Sequence, residues 1–166
     1  MKAHEIYKNA DAQLISEMFQ WLRKEEKELY QQAIATLAVD RKLRPIFVQK
    51  KSPADQASWL HKTLRLRTSD GVGEHLFQVY FMKGQQSMLV DFCDGMDIPH
   101  DGQGSVEGEL PKELDPDKLK TTVDTLLGKN DPKLVTLYLQ VFNLQTLKGW
   151  QSLRETLAND DRLTLA

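Results

Sequence analysis

Residues 72–96 read VGEHLFQVYFMKGQQSMLVDFCDGM, and no other stretch of the chain is as apolar with as little charge. Two apolar runs, at 76–82 and 88–93, flank a short polar link at 83–87. Burying apolar surface stabilises a fold by about 25 cal/mol for each Å² removed from water. We therefore expect the rest of the chain to pack around this pair of runs.

The periodicity of such short apolar runs is compatible with either helices or strands. Ser69 or Asp70 can cap a helix at its start, and Gly84 and Gly95 can end the two helices by adopting positive φ. The valine and aromatic content and the length of the link favour strands instead. Because the neighbouring segments have helical patterns, we predict a helical hairpin, and an α+β domain with a β-hairpin at 75–93 is the alternative.

Other helices are indicated by capping residues followed by an apolar stripe. Asp11 precedes a pattern over 12–41, which predicts one long helix or two helices meeting near residue 25. Proline at the first helical position follows a capping side chain in Ser52-Pro53, Asp115-Pro116 and Asp131-Pro132. Segment 46–48 is expected to be buried, and a last helix is expected from Leu147, Trp150, Leu153 and Leu157.

Composition bounds the class of protein. The 166 residues are 40% hydrophobic and 28% charged, with a net charge of −2, which is typical of one globular domain. Cys93 is the only cysteine, which excludes an intrachain disulfide and favours a reducing, cytoplasmic setting. The first residues lack the apolar core of a signal peptide, and no apolar run has the roughly 20 residues of a membrane span. We predict a single all-α domain over 1–166, with about seven or eight helices and a long acidic loop rich in Gly and Pro at 94–116.

The charges are segregated along the chain. Segment 41–67 contains eight basic residues and one acidic residue, a local charge of +7. Segment 91–117 contains nine acidic residues and one basic residue, a local charge of −8. The two segments face each other in the fold, or they are simply solvated. The functional alternative is that the basic segment binds an anionic partner.

The basic segment is the candidate site for phosphate groups or nucleic acid. A helix-turn-helix over 53–83 is not favoured, because its second helix is apolar where base contacts require polar side chains. The sequence therefore predicts at most that this segment contacts phosphate groups without recognising bases. The predicted ligand-binding residues are Arg44, Lys50, Lys51, Arg65 and Arg67.

The acidic loop is the candidate metal site. Starting at Asp97, the EF-hand pattern fails because Pro99 stands at the third position and Gly108 at the twelfth. A looser site for a divalent cation remains an alternative, and with it a small metal-dependent enzyme that uses the loop around His100. Its predicted ligands are Asp97, His100, Asp101 and Glu107.

Motifs for other chemistry are missing from the sequence. It has no Gly-x-Ser-x-Gly, no P-loop and no Gly-x-Gly-x-x-Gly, so no catalytic residue and no cofactor is predicted. Cys93 lies in an apolar run, where a thiol behaves as a small hydrophobe, and His61 and His75 are expected to be packed or half-exposed. We predict a non-enzymatic cytoplasmic interaction or adaptor domain whose partner is another protein; nucleic acid is not favoured, and no membrane is expected.

Overall fold

The computed structural model describes residues 1–146 and 149–166, and it is all-α. Within these residues it has ten α-helices. They are α1 Ala3–Asn9, α2 Ala12–Glu25, α3 Lys27–Asp40, α4 Pro45–Gln49, α5 Pro53–Leu64, α6 Asp70–Val79, α7 Gln86–Gly95, α8 Pro116–Lys129, α9 Pro132–Gln145 and α10 Gln151–Asn159. A 3₁₀ turn covers Arg67–Ser69, and a π-helical turn covers Tyr80–Gly84.

The prediction of an all-α fold is confirmed, and the alternative with a β-hairpin at 75–93 is wrong. Helix α6, the π-helical turn and α7 cover nearly all of that stretch. The isolated antiparallel bridge between His100 and Val106 lies outside it, in the loop after α7. The number of helices is larger than the expected seven or eight, because α2 and α3 are separate helices and the short segments α1 and α4 are also helical.

Backbone contacts divide the chain into two compact units, Met1–Tyr80 and Phe81–Ala166. The two apolar runs that were expected to share one core belong mainly to different units. Helix α6 buries Leu76 and Phe77 in the first unit, and α7 buries Met88 and Phe92 in the second. That residues 1–166 behave as one domain stays a prediction.

The first unit is built on aromatic packing. Helix α1 packs on α5 and α6, and α2 packs on α3 and α5. Tyr7 stacks on Phe77 with ring centroids 4.3 Å apart, and Phe19 lies beside it. The Tyr7 hydroxyl donates to the carbonyl of Gly73 at 3.0 Å, so this fully buried polar group is satisfied.

The second unit is built around α9, which is buried on several sides. Helix α7 packs on α8, and α10 packs on α8 and α9. Phe92, Tyr138 and Phe142 form an aromatic cluster that extends to Trp150. Leu163 and Leu165 of the C-terminal tail are buried, so the tail docks; Leu147, which was expected in the last helix, lies outside the described residues.

Most of the predicted helix starts are confirmed, and several finer expectations are wrong. Helices α2 and α3 meet at Glu26, which leaves helical geometry at φ −128°. Segment 46–48 was expected to be buried, but only Val48 is buried. Ile46 and Phe47 are 47% and 63% exposed because α4 turns them away from the core. Gly84 and Gly95 end their helical segments without adopting positive φ.

Candidate functional site

The basic segment is divided by α5 into two groups of exposed side chains. Arg44 and Lys50 are the residues at the two ends of α4, and Lys51 follows directly. Arg65 ends α5 and Arg67 begins the 3₁₀ turn. Because a 12-residue helix rises about 18 Å, the structure brings the first three together and holds the last two at the far end of the helix.

Exposed apolar side chains accompany the first of these groups. Val39, Leu43, Ile46 and Phe47 are 61%, 40%, 47% and 63% exposed. We call these four residues the basic–apolar surface, together with the exposed cations that lie among and after them in the sequence: Arg41, Lys42, Arg44, Lys50 and Lys51.

The turn between α3 and α4 holds this surface in place. Leu43 donates its N–H to the carbonyl of Ala38 at 2.8 Å, and Lys42 donates to that of Val39 at 2.9 Å. These two bonds define a Schellman motif, whose left-handed residue is usually glycine. Here that residue is Lys42, with φ of 58°, so a cation occupies a backbone position that an L-residue adopts at a cost.

A groove of about 1000 Å³ runs between α2, α3 and α5. Its walls have small side chains at helical spacing, so the helices leave space between them. Its floor includes Phe19 and Tyr30, each 1% exposed. The other lining residues are Ala12, Ser16, Gln20, Arg23, Lys24, Lys27, Gln31, Pro53, Ala54, Ala57, Ser58 and His61.

Sequence reasoning missed this groove. Three cations of the mixed-charge run 23–28 line this concave site. The available signal was the spacing of Ala12 and Ser16 in α2 and of Ala54, Ala57 and Ser58 in α5, which places small residues on one face of each helix. His61 also lines the groove, and its Nε2 donates to the Tyr7 carbonyl at 2.8 Å.

His100 in the acidic loop is held by hydrogen bonds on both ring nitrogens. Nδ1 accepts from the backbone N–H groups of Gly102 and Gly104, at 3.1 and 3.3 Å. With Nδ1 as the acceptor, Nε2 donates to a carboxylate oxygen of Asp94 at 2.7 Å. Asp101 accepts from the N–H groups of Gln103 and Ser105, so its carboxylate shapes the same turn.

The four predicted metal ligands are not brought together. Asp97 pairs with Lys118 of α8, and His100 bonds to Asp94, which was not among them. In residues 1–146 and 149–166 no group of three or more His, Cys, Asp or Glu side chains is arranged to hold a metal ion. The side chains of His100 and Asp101 instead bond to the backbone of the loop.

Two other acidic residues of segment 91–117 also bond within the second unit. Asp91 pairs with Lys129 at 3.3 Å. Glu113 accepts from the Ser152 hydroxyl at 2.6 Å and from the backbone N–H groups of Gln151 and Ser152, the first two residues of α10. These contacts lower the pKa of Glu113, led by the Ser152 hydroxyl.

The remaining candidate groups are placed as follows. Cys93 is buried, and burial, with the charges of Asp94 and Asp101, raises its pKa to about 11, so the thiol is protonated at neutral pH. His61 is half-buried and His75 is exposed.

Comparisons of the chain with protein-family models, with curated proteins and with solved structures find no match. In the part of the chain that the structure describes, no helix combines the length and the apolar character needed to cross a membrane.

Proposed function

We propose that the chain is a non-enzymatic interaction domain that binds an acidic, amphipathic segment of a partner protein on its basic–apolar surface. The observation that carries the proposal is the exposure of four large apolar side chains, 40–63% each, within nine residues that also include three cations. A partner that covers them removes apolar surface from water at about 25 cal/mol per Å².

Charge supports an acidic protein segment as the occupant. Five cations along 41–51 attract acidic side chains and speed the encounter, while the apolar side chains provide burial after contact. An amphipathic helix offers both kinds of group on one face, at i, i+3 and i+4 spacing. Nucleic acid would use the cations and leave Ile46 and Phe47 uncovered, and the two groups of the basic segment lie at opposite ends of α5.

A peptide-display selection against the whole chain tests this proposal. We expect selected peptides to combine acidic and apolar residues, and to lose most of their affinity for Phe47→Ser and Ile46→Ser. Met82→Ser is a matched control, because Met82 and Ile46 are each 47% exposed. Peptides that bind all three variants equally would contradict the proposal, as would tighter binding to vesicles with anionic lipids or to DNA than to any peptide.

We also propose that the protein acts in the cytoplasm. Its single cysteine is a buried free thiol, and in the described residues no helix is suited to span a membrane. Imaging of a tagged chain in cells tests this directly, and accumulation in a secretory compartment or in the nucleus would contradict it.

A further inference from the structure

The groove between α2, α3 and α5 contains a hydroxyl group that the fold does not use. Tyr30 is 1% exposed and lines the groove. Its hydroxyl makes no hydrogen bond with any part of the chain that the structure describes. Burial raises the pKa of Tyr30 to about 12, opposed by the charge of Arg23, so the hydroxyl is a proton donor at neutral pH. The oxygen of this side chain is not among the fully buried polar atoms, so it reaches the groove and can donate to a ligand there.

Two cations lie at the same end of the groove without partners. The side chains of Arg23 and Lys27 make no ion pair or hydrogen bond within residues 1–146 and 149–166. Lys24, which lines the groove beside them, is only loosely paired with Glu25 at 4.0 Å. No carboxylate is present among the lining residues. This end therefore combines positive charge with a donating hydroxyl, the combination that an anion requires.

The other end of the groove is uncharged. Residues 12 and 23 of α2 are about 16 Å apart along the helix axis, so the cations are well separated from the small side chains Ala12 and Ser16. Pro53, Ala54 and Ala57 of α5 also line the groove and carry no charge. This division suits a molecule with an anionic head and an uncharged body, and the volume of about 1000 Å³ is at the upper end of the range for small-molecule sites.

We infer that the groove binds a small organic phosphate. Its phosphate group lies between Arg23, Lys27 and the Tyr30 hydroxyl, and its uncharged body lies between α2 and α5. A phosphate suits this end better than a carboxylate, because it has more oxygens for three donors and a second negative charge for the second cation. Ser16, Gln20, Gln31 and Ser58 supply further polar groups along the groove.

Phenyl phosphate is the probe for this site. Phenol and inorganic phosphate are the controls, because each contains only one of the two groups that the probe combines. We expect saturable NMR shifts at Ser16, Arg23 and Tyr30 on titration of the whole chain, with phenyl phosphate tighter than inorganic phosphate and no binding of phenol. Absence of saturable binding of phenyl phosphate would overturn the inference. So would an acidic peptide that occupies the groove while phenyl phosphate does not.

Variants separate binding from folding. Tyr30→Phe is expected to weaken phenyl phosphate about tenfold, the loss of one hydrogen bond to a charged group. It should not lower Tm, because the hydroxyl supports nothing in the fold. Arg23→Gln is expected to weaken binding at least as much, whereas Lys8→Gln, an exposed lysine of α1, should leave it unchanged. Equal affinity of Tyr30→Phe and the parent chain, or equal losses in Arg23→Gln and Lys8→Gln, would overturn the inference.

This site and the proposed docking of a protein segment are tested independently. Phe47→Ser removes part of the basic–apolar surface, and Phe47 is not among the residues that line the groove. It is expected to leave phenyl phosphate binding intact, and Tyr30→Phe is expected to leave the binding of selected peptides intact. Loss of both activities in either variant would show one shared site and would overturn the inference of a separate one.

Discussion

At the scale of single residues, two glycines of the acidic loop have the same backbone conformation in different surroundings. Gly102 and Gly104 have φ of +87° and +90°, and both donate to His100. A Cβ built at Gly104 would lie 2.4 Å from the Cβ of Leu89, whereas one at Gly102 would meet nothing within 4 Å. Backbone strain is thus common to both positions, and close packing is special to Gly104.

This difference predicts unequal costs of replacement by alanine. Gly102→Ala should destabilise the chain by about 1–2 kcal/mol, the cost of a left-handed L-residue. Gly104→Ala should cost about 1–3 kcal/mol more, because α7 must shift to make room for the methyl group. Denaturant unfolding of the two variants measures the difference, and equal losses would show that the loop moves away from α7 without cost.

At the scale of the elements, helix starts were predictable and helix ends were not. Ser52, Asp115 and Asp131 each accept a backbone hydrogen bond in the first turn that follows them, as their side chains and the prolines after them indicate. Gly95, by contrast, was expected to end α7 through a positive φ, which it does not adopt. It is glycine because a Cβ there would lie 2.3 Å from a Thr122 oxygen of α8, a contact that the local sequence does not reveal.

Helix α10 begins with a cap that lies far away in the sequence. Its first residue follows Trp150, which provides no side-chain cap, and the carboxylate of Glu113 takes that role. Glu113→Gln should destabilise the chain by about 1 kcal/mol at neutral pH, a typical value for a lost cap. Thermal unfolding measures this cost, and Glu109→Gln, at an exposed position in the same loop, should have no effect.

The same contact has a defined pH dependence. The folded-state pKa of Glu113 is below its ordinary value of 4.5. Its contribution to stability is therefore complete above pH 4.5 and is lost as the pH falls through the lowered folded-state pKa. The stability difference between the parent chain and Glu113→Gln should shrink in acid over that range, and a difference that stays constant would rule out the carboxylate as the cap.

At the scale of the whole molecule, the charge polarity of the sequence persists in a weaker form. The first unit has 13 basic and 10 acidic residues, a charge of +3, and the second has 9 basic and 14 acidic residues, a charge of −5. Both proposed sites lie in the first unit. The basic segment could be identified from composition alone. The groove could not, because Arg23, Lys27 and Tyr30 form a site only after three helices pack together.

The two units raise the question of how the chain unfolds. Each has about 80 residues, near the size at which a single core becomes marginal. The boundary between them falls in the π-helical turn Tyr80–Gly84, so the backbone there is hydrogen-bonded and is not a Gly/Ser-rich linker. We therefore expect one cooperative transition.

Tryptophan fluorescence can follow each unit separately. Trp150 reports on the second unit in the double variant Trp21→Phe/Trp59→Phe, and Trp21 and Trp59 report on the first unit in Trp150→Phe. In each variant the fluorescence midpoint should equal the midpoint from circular dichroism of the same variant, which follows the helices of both units. The units would unfold separately if the fluorescence midpoint lay below the circular dichroism midpoint in one variant and above it in the other. The chain would then consist of two domains.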